Sequence, residues 1–480
     1  MGLVFLPTYI KYLGIEAYGL IGIFAALQGW LTLLDMGMTP VLGREMARFT
    51  DGQRSAQSIR DLLRTIETIA MVIAFLTAIG IWLASGWLAS DWLKAEKLPL
   101  SLVAQTFSVM GVVTALRFIE NIYRSAIIGL QRQVLLSLIS SAMATLRGFG
   151  AVGVMIWVAP TVEAFFVWQG LISIVTLALF AMVLYKTLPH LPTTTHFSLV
   201  ELKSVWRFAA GISGSTFLVL LLTQIDKILL SRILTLEHFG YYSLAIALTG
   251  ALCFFTGPIG QAYYPRFAEL SSGRDESALI TAFHSSMQLI VILMGTASMV
   301  LIFFSETVLF CWTHNSLLAH EIAPLVTVLA LGTLLNGLTW IPYQMQIAHG
   351  WTSLTIRVNA VAVIILVPAI FVVAPRYGAM GVAWIWVALN IGYFTFSTHF
   401  MFKRLLIAEK WNFYRSDVAF PLAASVTVAG ICRWLMPHHL GVGWQLASLC
   451  IISIIILTVV CLITPVVRAE LQKKISNLSS

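Results

Sequence analysis

The stretch Tyr12-Leu-Gly-Ile-Glu16-Ala-Tyr-Gly19 opens a long apolar segment, and Ile233-Leu-Thr-Leu-Glu237-His-Phe-Gly240 opens another one 221 residues later. Further pairs share this offset: Leu27 and Leu248, Gly29 and Gly250, Ala47 and Ala268, and Gly129 and Gly350. The repeat predicts an internal duplication of a membrane helix bundle. Duplicated bundles are typical of transporters, because two similar halves can rock against each other around a site between them.

The composition excludes a soluble protein. Hydrophobic residues make up 59% of the chain and charged residues 10%, and the mean hydropathy is +0.89. A soluble domain carries about 25% charged residues. Stretches such as Ile69–Leu83 and Ile451–Ile463 hold more apolar surface than one soluble core can bury.

Apolar runs of about 20 residues predict membrane-spanning helices. Thirteen complete spans are expected at 16–42, 62–90, 100–128, 133–158, 164–185, 208–232, 240–264, 283–311, 322–347, 352–374, 379–402, 417–436 and 443–465. Met1–Ile10 is apolar but too short to cross a core of about 30 Å. Its counterpart at the 221-residue offset, Leu222–Ser231, ends a complete span. We therefore expect a 14-helix plan with a truncated first helix, either through a start codon placed too late or through loss of the helix.

The predicted fold class is an all-α polytopic membrane protein. Two pseudo-symmetric six-helix bundles, 1–190 and 197–406, are expected around a central cavity. Residues 407–480 are expected to add two transmembrane helices and a tail.

The distribution of positive charge predicts the topology. Of the 29 Lys and Arg residues, 20 fall in the connections and tail on one side, 7 fall on the other side, and Arg117 and Arg147 fall inside spans. The excess identifies the basic side as cytoplasmic, which places the C terminus there. The net charge of +8 is then a topology signal and implies no nucleic-acid partner.

Motifs for enzymatic chemistry are missing from the sequence. There is no G-x-x-x-x-G-K-[ST], no H-E-x-x-H and no G-x-S-x-G, so we expect a transporter with no catalytic residue and no cofactor. The five cysteines lie in or beside apolar spans without metal-ligand spacing. They are interpreted as small buried apolar residues, and no metal site is predicted.

The 100–128 span carries the densest polar pattern. Arg117, Glu120, Asn121 and Arg124 stand at i, i+3, i+4 and i+7 and therefore share one helix face. Glu120 can pair with Arg124, which leaves one positive charge over. A charge at mid-membrane costs about 2.5–3.5 kcal/mol on insertion scales, so it faces a cavity or a partner.

Arg147 lies near the middle of the 133–158 span with no acid within one helical turn. Its planar guanidinium suits bidentate binding of phosphate. Two interpretations stay open: anion binding in a cavity, or a structural pair with Glu120 or Asp35. Asp35 itself either pairs with one of the arginines or marks a helix break at Gly37.

Further polar residues inside spans complete the expected site. Substrate-binding residues are predicted at Arg147, Arg117, Arg124, Asn121, Gln224, Asn336 and Gln344, and charge partners or ion-coupling groups at Asp35 and Glu120. The basic lining is lopsided, because the 221-residue offset pairs Arg117 with Leu338 and Arg147 with Pro368. One half would hold an anionic head group, and the other would offer amides and aromatic rings.

Several loose motifs carry a family resemblance over nearly the whole chain. They are Tyr12–Gly19, Leu34-Asp-Met-Gly-Met38, Arg44-Glu-Met-Ala47, Tyr123-Arg-Ser-Ala-Ile-Ile-Gly-Leu-Gln131, Pro258, Pro265-Arg-Phe267 and Tyr377-Gly-Ala-Met-Gly-Val-Ala383. The chain resembles the polysaccharide and O-antigen flippases of the multidrug/oligosaccharidyl-lipid/polysaccharide exporter superfamily. The truncated first helix departs from that pattern.

The resemblance implies movement of an undecaprenyl-pyrophosphate-linked oligosaccharide from the inner to the outer leaflet of the bacterial cytoplasmic membrane. Its implied partners are this lipid-linked substrate, membrane lipids, H⁺ or Na⁺ as coupling ion, and a polysaccharide polymerase. An ion-coupled multidrug exporter and a flippase of peptidoglycan lipid precursors remain as alternatives. A cationic-drug exporter needs acidic cavity residues, and Asp35 and Glu120 face three arginines here.

Overall fold

The computed structural model describes residues 2–189, 195–273, 275–436 and 441–465, and regular structure in these ranges is helical apart from an isolated bridge between Lys94 and Thr235. The first nine α-helices are α1 Gly2–Leu13, α2 Ile15–Leu34, α3 Met38–Thr50, α4 Ala56–Trp87, α5 Leu100–Gly129, α6 Gln133–Trp157, α7 Val162–Thr187, α8 Leu199–Ile233 and α9 Leu236–Gly250. The remaining α-helices are α10 Cys253–Ser272, α11 Glu276–Ile290, α12 Thr296–Thr313, α13 Ser316–Leu338, α14 Trp340–Ala348, α15 Thr352–Gly392, α16 Thr398–Arg404, α17 Lys410–Asn412, α18 Phe420–Leu435 and α19 Val442–Ile463. Short π-helical segments, among them Val291–Gly295 and Phe413–Ala419, connect some of these helices.

Two compact units divide the chain, Met1–Tyr241 and Tyr242–Ser480. This boundary differs from the predicted division between 1–190 and 197–406. The reason is α8, which packs against α2, α3 and α4 of the first unit. The core of that unit is a cluster of fully buried apolar side chains on α3, α4 and α5, among them Leu42, Met46, Leu62 and Ala126.

The predicted number of membrane crossings agrees with the structure. Eleven helices within the described ranges are long and apolar enough to cross a membrane, and α8 makes a twelfth when its two parts, which meet at 55°, count as one span. One of the eleven, Thr352–Arg404, contains two crossings, which raises the number to thirteen. The predicted span 322–347 is interrupted at Thr339, where α13 gives way to α14.

A hairpin at Gly378 explains the double crossing. Gly378 has φ 55° and ψ −144°, which interrupts the helical backbone. The Tyr393 hydroxyl donates a hydrogen bond of 3.0 Å to Asn359 Oδ1, 34 residues away. A straight helix would separate residues so spaced by about 50 Å. The chain therefore folds back at Gly378, as the predicted spans 352–374 and 379–402 require.

A second break separates α2 from α3. Gly37 has φ 76°, a left-handed conformation that glycine adopts without strain. The Asp35 carboxylate accepts hydrogen bonds from the Thr39 backbone N–H at 3.0 Å and from the Thr39 hydroxyl at 2.6 Å. Asp35 thus satisfies donors in the first turn of α3. Of the two roles left open for Asp35, the structure shows the helix break.

The repeat stretches that open the two long segments pack on each other within the first unit. A Cβ at Gly19 would lie 2.5 Å from the Leu236 carbonyl oxygen, and one at Gly240 would lie 2.5 Å from the Ile15 carbonyl oxygen. Ile15 and Gly19 are the counterparts of Leu236 and Gly240 at the 221-residue offset, so this close contact is reciprocal.

The repeated acids Glu16 and Glu237 hold one loop beside this crossing. Glu16 accepts the Lys97 backbone N–H at 3.0 Å, and the Lys97 ammonium pairs with Glu237 at 2.5 Å. The hydrogen bond to Glu237 raises the pKa of the exposed Lys97 side chain.

The predicted cytoplasmic location of the C-terminal tail concerns residues 466–480, which lie outside the described residues.

Candidate functional site

A cavity of about 940 Å³ lies in the first unit. The charged stripe of α5 forms one wall, Arg147 of α6 contributes from a second helix, and the break between α2 and α3 forms another part. Its polar lining residues are Gln28, Thr32, Asp35, Thr39, Thr114, Arg117, Glu120, Asn121, Arg124, Ser125, Arg147, Ser213 and Thr216. Six of the nine predicted site residues therefore meet at one cavity.

Arg147 has an acidic partner that its own helix does not supply. Its Nη2 lies 3.5 Å from Glu120 Oε1 and 3.4 Å from Ser173 Oγ. A charge-assisted hydrogen bond is normally 2.7–2.9 Å long, so both contacts are loose. The Nε of Arg147 is buried without a hydrogen-bond partner among the described residues. Arg147 thus combines a structural contact with donor capacity that the protein leaves unused.

Arg117 is held more firmly. Its Nη2 donates to Gln169 Oε1 at 2.8 Å, and its guanidinium lies over the Phe24 ring at 4.9 Å from the centroid. Gln169 is buried, at 4% exposure, on α7. Gln169 and Phe24 are not among the predicted site residues, since neither carries a periodic or charge signal that connects it to Arg117.

Arg124 and Asn121 are exposed and line the cavity. The predicted pair between Glu120 and Arg124 is not among the ion pairs of the described residues, because Glu120 turns to Arg147. No ion pair of Arg124 occurs in those ranges either. Arg124 is therefore an exposed cavity cation that pairs with no acid within the described ranges.

The charge of the cavity is positive. Three arginines face two acids, and both acids are engaged, Glu120 with Arg147 and Asp35 with Thr39. Among the described residues, buried Gln28 Nε2 and Thr114 Oγ1 have no hydrogen-bond partner. These neutral groups stand beside the cations as additional sites for polar ligand atoms.

The three remaining predicted residues lie elsewhere. Gln224 packs against Gly29, where a Cβ would meet its Cδ at 2.8 Å, and it is not part of the cavity wall. In the second unit, Asn336 Nδ2 donates to Asn390 Oδ1 at 2.8 Å. Gln344 lies beside Gly260. Gln224 is therefore outside the wall of the basic cavity, and Asn336 and Gln344 have their contacts within the second unit.

The fold defines a class of membrane transporter. A solved structure of the lipid II flippase MurJ, in an inward closed conformation, superposes with a TM-score of 0.67 at 12% identity and covers 96% of each chain. An inward-facing multidrug resistance transporter of the MATE family, in the MOP superfamily, superposes with a TM-score of 0.63 at 15% identity, covering 84% of this chain and 95% of that one. The protein is a multi-pass helical membrane protein with the fold of these transporters.

Sequence comparison identifies the family. Residues 1–271 match the model of the polysaccharide biosynthesis protein family, so the chain belongs to that family. A candidate O-antigen transporter of Shigella flexneri is 19% identical over 376 residues, which covers 78% of this chain and 87% of that protein.

Proposed function

We propose that the protein moves an undecaprenyl-pyrophosphate-linked oligosaccharide from the inner to the outer leaflet of the cytoplasmic membrane by alternating access, for O-antigen or exopolysaccharide synthesis. The observation that carries this proposal is the surplus of arginine in the cavity of the first unit. Family membership and the MurJ-like fold support a role in flipping lipid-linked substrates.

The chemistry of the cavity fits an anionic head group that carries sugars. A pyrophosphate presents oxygen acceptors that arginine engages through paired N–H donors. Arg124 and the unused Nε of Arg147 provide such donors. A volume of about 940 Å³ stands at the upper end of ordinary ligand sites, which measure about 300–1,000 Å³, and leaves room for sugar residues next to Asn121 and Gln28.

The same cavity is poorly suited to cationic drugs. Carboxylates favour cation binding, and here Asp35 is bonded to Thr39 while Glu120 Oε1 lies 3.5 Å from Arg147, so the two acids are outnumbered by three arginines. Arg124 would repel a positive ligand at the site where it would have to bind.

The charge count supports the orientation within this proposal. The side with 20 Lys and Arg residues is the cytoplasmic one, so substrate is loaded from there. The inner membrane is the proposed location, with the C terminus in the cytoplasm.

Replacement of Arg147 tests the function. Arg147→Ala removes the guanidinium, and we expect most transport to be lost. Arg147→Lys keeps the positive charge but lacks the paired N–H donors, so it should retain part of the transport. The measurements are surface polysaccharide in a flippase-null strain and translocation of a fluorescent lipid-linked oligosaccharide by purified protein in liposomes. Membrane protein levels are measured alongside.

The control separates a ligand role from a structural one. Arg132, exposed at the start of α6 and outside the cavity wall, gives the matched variant Arg132→Ala, which should transport normally. If Arg147 only neutralises Glu120, the double variant Arg147→Ala/Glu120→Gln should recover transport. That recovery, or normal polysaccharide from Arg147→Ala alone, would contradict the proposal.

A further inference from the structure

A buried cluster of polar groups joins three elements of the second unit. His284 of α11 places Nδ1 against Asp417 Oδ2 and Nε2 at 3.0 Å from Glu409 Oε2. Gln288, one turn further along α11, donates from Nε2 to the other oxygen of Asp417 at 2.7 Å. Asn412 Nδ2 donates to Glu409 at 2.9 Å. The imidazole is therefore held between two carboxylates, each fixed by an amide.

The two carboxylate contacts favour an additional proton on the ring. A neutral imidazole has one N–H donor and one lone pair, whereas an imidazolium has two N–H donors. Both ring nitrogens of His284 face carboxylate oxygens, and Asn412 Nδ2 lies 3.4 Å from Nε2. A neutral ring with its proton on Nδ1 would turn the Nε2 lone pair toward both the Glu409 carboxylate and the Asn412 amide. Both carboxylate contacts are favourable only when the ring carries the additional proton.

The three side chains form a gradient from solvent to interior. Glu409 is 21% exposed, His284 10% and Asp417 1%. A neutral ring with its proton on Nδ1 can accept a proton from Glu409 at Nε2, and the resulting imidazolium can release the Nδ1 proton to Asp417, which leaves a neutral ring protonated on Nε2. The order of exposure thus gives a path with one open end.

Aromatic rings and irregular helix surround the path. The ring of Phe283 lies 5.6 Å from that of His284 and 5.9 Å from that of Phe413. Asp417 belongs to the π-helical segment Phe413–Ala419, and a second π-helical segment, Val291–Gly295, follows α11 directly. Such segments occur often at functional sites.

Other titratable and charged groups lie on the same element and on the elements packed against it. Lys410 turns to His399, and Arg415 lies over Phe420. On the elements that pack here, His349 contacts the Met345 carbonyl oxygen, Glu276 lines a pocket with Arg404, and α10 carries Arg266 and Glu269. The charges in contact with His284 are those of Asp417 and Glu409.

We propose that His284, between Glu409 and Asp417, is the binding site of the proton that couples transport to the pH gradient. The inference rests on the proposed function and specifies its coupling ion. Loss of the proton removes one of the two N–H donors, so the segment 407–419 loses a hydrogen bond that ties it to α11. Proton occupancy thereby changes how α18, the helix that follows this segment, packs.

Translocation with and without a pH gradient tests the coupling. Purified protein in liposomes receives fluorescent undecaprenyl-pyrophosphate-linked oligosaccharide, and we expect a gradient to accelerate wild-type transport. His284→Gln and Glu409→Gln should translocate without a gradient and lose the acceleration. His320→Gln is the matched control, because His320 contacts one carboxylate, Glu306, in an exposed pair 3.1 Å apart, and it should respond like the wild type.

A substrate-free measurement keeps the two proposals separable. The ¹⁵N spectrum of histidine-labelled wild-type protein, assigned with His284→Gln, should show both ring nitrogens of His284 protonated at neutral pH. If the wild type moves no lipid-linked oligosaccharide, the proposed function fails, while this spectrum still decides whether His284 holds a proton. A neutral His284, an unchanged gradient response in Glu409→Gln, or acceleration by a Na⁺ gradient alone would overturn the proton site.

Discussion

The wall of the basic cavity and the residues 221 positions later in the second unit correspond in the sequence repeat but differ in chemistry. Arg117, Glu120 and Arg124 of α5 line the cavity. At the 221-residue offset their counterparts are Leu338, Ile341 and Met345, which are 1%, 0% and 0% exposed. The corresponding stretches form a charged wall on one continuous helix in the first unit and packed core at the junction of α13 and α14 in the second.

The two repeat stretches share their close glycine packing but not their charges. Reciprocal packing at Gly19 and Gly240 depends on small residues at close backbone approach, and both copies retain them. Charges need a cavity or a partner within the membrane, and only the first copy of this stretch lines such a cavity. The buried charges of the second unit lie at different positions, around His284.

The most severe test places the charge of one copy in the other. Met345→Arg puts a guanidinium into a fully buried position, at a cost of about 2.5–3.5 kcal/mol on insertion scales. We expect the protein to lose its monodisperse peak in size-exclusion chromatography and its membrane level to collapse. Met345→Leu, which conserves volume, should behave like the wild type. A well-folded Met345→Arg protein would show that the second unit tolerates a cavity there.

The reverse exchange affects transport instead of folding. Arg124→Met installs the residue of the second copy at the cavity position. Because Arg124 forms no ion pair within the described ranges, the protein should fold and insert normally. Loss of charged hydrogen bonds worth about 1.5–3 kcal/mol predicts at least about a tenfold drop in the translocation rate, measured in liposomes. Arg124→Lys should retain part of the rate, and full activity of Arg124→Met would remove Arg124 from the site.

The smallest effect concerns Gly37, at the helix break beside the cavity. Its counterpart at the 221-residue offset is Pro258, within α10. Gly37 and Gly52 have nearly equal φ values, 76° and 75°. A Cβ at Gly37 would lie 2.7 Å from the Ala209 carbonyl oxygen, whereas one at Gly52 meets nothing within 4 Å. Both alanine variants bear a left-handed strain of about 1–2 kcal/mol.

Overpacking against backbone adds about 1–3 kcal/mol at Gly37 alone. Thermal unfolding in detergent should therefore show a larger loss of stability for Gly37→Ala than for Gly52→Ala. Equal losses would mean that α8 moves away from Gly37 at little cost.

Much of the fold could be predicted because the membrane imposes simple rules. An apolar run of about 20 residues must be a helix, since backbone groups in lipid need internal partners. The crossings on both sides of Gly378 followed from that rule, although 41 consecutive residues are helical there apart from one glycine. The i, i+3, i+4 and i+7 spacing likewise put Arg117, Glu120, Asn121 and Arg124 at one cavity.

By itself, then, the sequence determined the class of protein, its apolar membrane-spanning helices and one polar face, because these depend on composition and on periods of a few residues. The tertiary structure alone decided the partners: Arg147 with Glu120, 27 residues apart, Arg117 with Gln169, 52 apart, and His284 with Asp417, 133 apart. It also grouped α8 with the first unit. Such contacts follow from how separate helices pack side by side, and helix packing leaves no periodic signal between residues that are distant along the chain.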